Sequence, residues 1–270
     1  MHRTLTATMG WRIEVWEQSS GAAASEDAHL VWPDPSGRRL RVAVLDGVTP
    51  TRHCRRVVGV PGPMYAAAVA RVALQRSDCD LGECLATANR HLHDRGLLRS
   101  RDQTQTCVTA ADLFQDGRIE LVRAGDCEAW ARTRDGWVAL GSGTALSAGA
   151  AAQWADWQRR NPGISRDVRH DAEEHVLGRP DAWTATALGR FPRAVIQRFS
   201  VAGVSELVLA SDGARLSEPV LDDLASWIDG LRRWERERAG AGRAGGKVHD
   251  DVTVLRLVRG RAALSLARAA

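Results

Sequence analysis

Lysine is almost missing from this chain. Lys247 is the only one among 37 basic residues, so the formal net charge of +4 is carried by arginine. The arginines are scattered among 33 acidic residues rather than gathered with aromatics, which removes the usual sequence basis for a nucleic-acid partner. No uninterrupted apolar run approaches the roughly 18 residues of a membrane span. The opening MHRTLTATMGWR has no secretory apolar core, so no membrane partner is expected and a cytoplasmic setting is. The cysteines at positions 54, 79, 84, 107 and 127 are odd in number and contain no CxxC pair, which argues against a structural zinc site and suits a reducing compartment. Internal repeats are absent and nothing marks a second domain. With 44% hydrophobic and 26% charged residues, the 270-residue chain has the make-up of an ordinary globular protein. The expectation is a single domain over 1–270, with a core over about 11–258, a flexible AGAGRAGG linker at 239–246 and a short tail at 259–270.

Apolar patterning places three early strands at 11–17, 28–32 and 40–45. Two amphipathic helices follow, at 63–76 through Met64, Ala67, Ala68, Val72 and Leu74, and at 81–93 through Leu85, Ala88 and Leu92. A second series of strands is predicted at 106–114, 119–122, 127–132 and 137–140, with Asp116-Gly117 and Asp135-Gly136 as hairpin turns. Cys107 and Cys127 fall within these strands, where a thiol serves as a small apolar filler. Residues 145–190 lose strand character but hold a helix at 150–159, where Trp154 and Trp157 suit packing inward. A strand at 206–210, one helix over 220–232 and a strand in VTVLRLV complete the pattern.

The chemistry lies in acidic residues at strand edges. Glu26 and Asp27 open AHLVW, Asp46 closes RLRVAVL, Asp212 closes ELVLAS, and Asp250 with Asp251 opens VTVLRLV. Asp-Gly after a strand is by itself a turn signal. If neighbouring strands run antiparallel, however, all four sites meet on one edge. Carboxylates so gathered repel one another, and holding divalent metal is the usual reason to gather them. The candidate ligands are all oxygens, which favours Mg2+ or Mn2+ over zinc or copper.

SEDAHLV, VAVLDG, LVLASDG and HDDVTVL, together with RAGDCEAW, resemble the signature blocks of the metal-dependent protein phosphatases of type 2C, in that family's own order. The resemblance implies an α+β fold, a four-layer α/β/β/α sandwich of two central antiparallel sheets flanked by helix pairs. It implies hydrolysis of phosphoserine or phosphothreonine in a phosphorylated protein substrate by direct attack of metal-bound water, with two divalent cations as cofactors. Asp46, Asp212 and Asp250 would hold one ion. Asp46, the Gly47 carbonyl and a water shell on Glu26 and Asp27 would hold the other, leaving Asp251 to orient the ligands. Catalysis would centre on Asp46 and Asp212. Asp126 either joins a weaker third metal or caps a turn after Gly125, because the third site's other carboxylate is replaced by Leu216.

Two further departures bear on substrate handling. Ala22 stands where the family has a phosphate-gripping arginine, and Val48 stands where some members have a histidine. Arg52 or Arg55 are candidates to grip the phosphate instead, or else belong to a solvated basic loop. The departures leave two alternative readings open: a phosphatase-like regulatory module with little turnover, and a hydrolase of small phosphorylated metabolites.

Overall fold

Strands that bury both faces must sort their side chains by parity, and this chain does so along nearly every strand. In the computed structural model the strands are β1 (His2–Thr6), β2 (Trp11–Gln18), β3 (Ala28–Pro33), β4 (Arg39–Gly47), β5 (Arg56–Val57), β6 (Val60–Pro61), β7 (Thr106–Phe114), β8 (Ile119–Ala124), β9 (Glu128–Thr133), β10 (Gly136–Gly141), β11 (Gln197–Val201), β12 (Glu206–Ala210) and β13 (Val252–Arg259). The helices are α1 (Gly62–Leu74), α2 (Leu81–Arg99), α3 (Ala148–Arg160), α4 (Glu218–Leu221) and α5 (Leu224–Ala239). The structure describes residues 2–6, 9–19, 25–48, 56–57, 59–99, 104–141, 146–164, 172, 176–214, 216–239 and 251–260.

Two antiparallel sheets dominate. One has the order β1-β2-β13-β12-β9-β10 and the other β11-β8-β7-β4-β3, while β5 and β6 form a separate small hairpin. Leu40, Val42 and Val44 of β4, Ile13 and Val15 of β2, Leu207 and Leu209 of β12, and Leu255 and Leu257 of β13 meet in one buried cluster between the sheets. The alternate residues Ala43 and Leu45 face α1 and α2, and Val208, Ala210, Val252 and Val254 face α4 and α5. The result is the expected four-layer α/β/β/α sandwich, with each fully buried Leu, Ile or Val worth roughly 1.5–3 kcal/mol of transfer free energy.

Several details differ from the sequence expectations. The buried face of α1 is an alanine stripe, Ala66, Ala67, Ala70 and Ala73 with Leu74, whereas Val72 points to solvent. The small residues seat the helix close to the sheet. The single helix expected at 220–232 is broken into α4 and α5, because the Asp223 side chain accepts a hydrogen bond from the Ser226 amide and so starts a new helix. The short strands β1, β5, β6 and β11 were not anticipated from patterning. Trp154 packs on a satellite cluster of Ala150, Val176, Leu177 and Ala182, and Trp157 stacks on Trp154 with ring centroids 5.0 Å apart.

The cysteine reading needs correction. Cys79 and Cys84 are joined by a disulfide, with Cα atoms 6.2 Å apart. The sequence signal was a capping box rather than a CxxC. Asp80 accepts from the Glu83 amide at 2.8 Å and Glu83 from the Asp80 amide at 3.2 Å, which turns the chain into α2 and brings Cys79 over the helix's first turn. Cysteine usage therefore no longer argues for a reducing compartment. Among the described residues, no helix is long and apolar enough to cross a membrane.

The α1–α2 turn is held by a fully buried arginine on β4. Arg41 pairs with Asp112 of β7 through two hydrogen bonds of 2.7 and 2.8 Å and donates to the carbonyls of Leu74, Arg76 and Cys79 at 3.0–3.1 Å. It thus satisfies the C-terminal carbonyls of α1 while linking helix layer to sheet. Removing one partner leaves an uncompensated buried charge. Asp112→Asn or Arg41→Ala is expected to lower unfolding free energy by about 3–5 kcal/mol. Chemical denaturation checks this, and a loss below 1 kcal/mol would contradict the anchoring role.

Candidate metal centre

At one end of the sandwich the inward-facing rows change from apolar to polar. On β4 the inward series Leu40, Val42, Val44 continues to Asp46. The β3–β4 register, with Ala28 opposite Leu45, puts Asp27 beside Asp46 one step further on, and Asp46 pairs in turn with Cys107 of β7. In the facing sheet the equivalent row is Thr253 and Ser211: the Ser211 amide donates to the Thr253 carbonyl at 2.9 Å, and the Thr253 amide to the Ser211 hydroxyl at 3.0 Å. Asp212 follows in a single 3-10 turn, Asp212–Ala214. Segments far apart in sequence thus bring Asp27, Asp46 and Asp212 near one another.

The electrostatics follow from that crowding. Asp46 is pushed well above the ordinary carboxylate range, first by burial and then by the charges of Asp27, Asp212 and Asp126. Asp27 is raised to about 7, chiefly by burial and further by Asp251, although hydrogen bonds with Ser211, Asp46 and Thr253 oppose the shift. Asp251 is buried, and its Oδ2 accepts from the Glu26 amide at 2.7 Å, so it fixes the segment carrying Glu26 and Asp27. Asp126 lies close enough to act on both Asp46 and Cys107. Burial pushes the thiols of Cys107 and Cys127 up as well, which keeps them neutral and unsuited to be thiolate ligands.

Two glycines are required here. A Cβ on Gly47 would lie 2.7 Å from the Pro63 side chain and 2.9 Å from the Glu26 carbonyl, because residue 47 faces outward onto the start of α1. Its glycine is thus fixed by packing, and the Thr106 hydroxyl donates to the adjoining Asp46 carbonyl at 2.8 Å. Gly125, with φ +85°, would drive a Cβ into the Cys107 sulfur, so it carries both a conformational and a steric demand.

Of the remaining expected site residues, Asp250, Arg52 and Arg55 lie outside the described residues, as does Ala22. Val48 packs against Cys107, Cys127 and Ala187, and its amide donates to the Gln105 carbonyl at 3.1 Å. Leu216 is buried in the outer core with Leu221, Leu224 and Ile228, a place where a carboxylate would be costly. The sequence reading gave no role to Ser211 or Thr253, whose signal was only their place beside Asp212 and Asp251. His29 donates from Nδ1 to Glu17 at 2.7 Å, since its Nε2 must accept from Arg3 at 2.9 Å.

Among the described residues no group of three or more Asp, Glu, His or Cys side chains is arranged to hold a metal ion. The donor set nevertheless suits a hard cation. It is oxygen-only, its members repel one another, and Oδ2 of Asp27 is buried with no hydrogen-bond partner.

No protein-family profile matches this sequence, and neither does any curated protein. Solved structures do match in fold. Serine/threonine phosphatase Stp1 from Staphylococcus aureus superposes with a TM-score of 0.60 at 13% identity, over 91% of this chain and 94% of that one. The Mycobacterium tuberculosis serine/threonine phosphatase PstP/Ppp gives 0.57 at 17% identity, covering 93% and 99%. RsbX, solved in complex with magnesium, gives 0.58 at 10% identity, covering 96% and 99%. The chain therefore has the type 2C phosphatase fold over nearly its whole length, as the sequence blocks led us to expect.

Crowded carboxylates make metal-free stability depend on pH. In the unfolded chain Asp27 titrates near its ordinary 3.8, and in the fold near 7. Between these values the folded state keeps a proton that the unfolded chain has released, so stability falls as pH rises through the window. The metal-free melting temperature is expected to drop between about pH 4 and 7, and Asp27→Asn to flatten the slope. Manganese should stabilise most at the upper end, where no proton competes for the carboxylates. A metal-free melting temperature that climbs across the window in the wild type would contradict the arrangement.

Proposed function

We propose that this chain is a metal-dependent phosphoserine/phosphothreonine protein phosphatase. The observation that carries the reading is the meeting of Asp27, Asp46, Asp126 and Asp212 at the polar end of the sandwich, where their charges raise Asp46. The fold it shares with Stp1 and PstP/Ppp supports the same reaction class, and fold alone would not suffice. Asp27, Asp46 and Asp212, with Asp250, Glu26 and the Gly47 carbonyl, would hold two divalent cations, Mn2+ or Mg2+. Such ions, when bound, lower the pKa of water and neutralise charge on a phosphate.

The protein's own groups supply positioning. Ser211, Thr253 and Asp46 lie near the Asp27 carboxyl and moderate the rise of its pKa, Asp251 ties down Glu26, and Thr106 holds the end of β4 through the Asp46 carbonyl. Asp46 is the central member, since its carboxyl feels three others at once. Asp126 joins this group, but Leu216 lies in the outer core, which favours two ions over three.

A second reading, a phosphatase-like regulatory module with little turnover, is favoured by Val48 and Leu216, both absorbed into apolar packing at positions that resembling proteins use for chemistry. Turnover separates the two readings. With manganese, the wild type is expected to hydrolyse phosphopeptides and a chromogenic phosphomonoester, and to lose this without metal. Asp46→Asn and Asp212→Asn should each reduce turnover at least a hundredfold, about 2.7 kcal/mol of transition-state stabilisation. Hydrolysis unaffected by both changes would refute the site. A wild type inert under all metal conditions, yet melting at a higher temperature with manganese, would select the regulatory reading.

A further inference from the structure

Beside the carboxylate end lies a cavity of about 450 Å³ that the proposed reaction does not use. It opens laterally between the outer strands of the two sheets. Arg3 of β1 and Glu17 of β2 line one side, Asp27 and His29 the other, and Arg71 and Gln75 of α1 reach over the rim. Parity explains how polar groups come to be there. Arg3 pairs with the inward-facing Val15, and Glu17 and His29 continue the inward rows of β2 and β3, so all three project between the sheets at their open edge.

The charges are organised for an anion. Arg3 is held by Glu17 at 3.4 Å and by His29 at 2.9 Å, which fixes its guanidinium in place. Its side chain is still 38% exposed, and its Nε is buried with no hydrogen-bond partner. Arg71 is exposed and makes no ion pair among the described residues. Two guanidinium groups thus face a cavity lined by two carboxylates, Glu17, which Arg3 and His29 already engage, and Asp27, so Arg71 is the lining cation left without an ion pair among the described residues. Asp27 marks the end nearest the candidate metal centre. From Asp27 to His29 is two strand residues, about 7 Å, which matches the step from one residue to the next but one in an extended peptide.

Building on the phosphatase reading, we propose that this cavity is a second anion subsite, which takes an acidic side chain or a second phosphate flanking the phosphoserine of a phosphopeptide, with Arg71 and Arg3 as its cations. Arg71 supplies an accessible fork for a carboxylate or phosphate, and Arg3, oriented by Glu17 and His29, supplies the fixed charge behind it. The subsite gives the site a preference for acidic sequence context that the catalytic carboxylates cannot provide.

The test is fluorescence anisotropy with labelled peptides carrying a non-hydrolysable phosphonate analogue of phosphoserine, bound to the full chain in manganese. Alanine, aspartate, lysine or a second phosphate is scanned through the flanking positions. At one flanking position aspartate or phosphate is expected to bind about tenfold tighter than alanine. The tighter of the two identifies which anion the subsite takes. Arg71→Ala should abolish the difference and Arg71→Glu should favour the lysine peptide. Equal wild-type affinity for all peptides, or an acidic preference that survives Arg71→Glu, overturns the proposal. Wild-type turnover of a chromogenic phosphomonoester, measured alongside, reports on the phosphatase reading separately. Turnover without acidic preference overturns the subsite alone, whereas Arg71-dependent acidic preference without turnover overturns the phosphatase reading and leaves the subsite standing.

Discussion

Like charges confined at the end of an apolar sandwich are the constraint around which this molecule is arranged. Asp46 ends an inward-facing row of leucine and valine and cannot turn away without breaking its pairing with Cys107. Asp27 stands beside it by register, Asp126 comes near from the turn between β8 and β9, and Asp212 from the 3-10 turn after β12. In such surroundings Asp46 and Asp27 both resist ionisation, each raised chiefly by burial and further by neighbouring carboxylates. Protonation is one relief, and in the function proposed above a bound divalent cation would be the other.

The surrounding structure resists the relaxation that this repulsion would otherwise cause. The cluster between the sheets fixes the strands, and Arg41, bonded to Asp112 and to three carbonyls around the α1–α2 turn, fixes helix layer to sheet. At the site, Gly47 lets Pro63 and the Glu26 carbonyl close in on β4, and Gly125 lets β8 turn tightly over Cys107. Each is a place where a methyl group would force the carboxylates apart. Sequence divergence from the phosphatase structures it superposes on is large, at 10–17% identity, yet the fold is the same.

Much of this was legible in the sequence, for physical reasons. The near-continuous apolar runs in RLRVAVL and ELVLA marked β4 and β12 because both faces of those strands are buried, and the acidic residues at strand ends could be placed near one another because antiparallel pairing has few alternatives. The α1 face was misjudged because hydrophobicity ranks Val72 above alanine, whereas close packing on the sheet selects alanine. The disulfide was missed because Cys79 and Cys84 are brought together by a capping box, a side-chain device with no apolar period. Arg41 and Asp112 read as ordinary polar residues in strands. Only the fold reveals that each is the other's partner across 71 positions. Leu216 and Val48 were legible as departures, but not as parts of apolar clusters.

The central claim is that Asp27, Asp46 and Asp212 are brought together to hold divalent cations. Crystals grown in manganese, with diffraction measured where that metal scatters anomalously, test it most directly. The account predicts anomalous peaks against the Asp46 carboxylate, with two ions roughly 3.5–4 Å apart, and their loss in Asp46→Asn. Crystals saturated with manganese that show no peak within bonding distance of Asp46, Asp27 or Asp212 would contradict it.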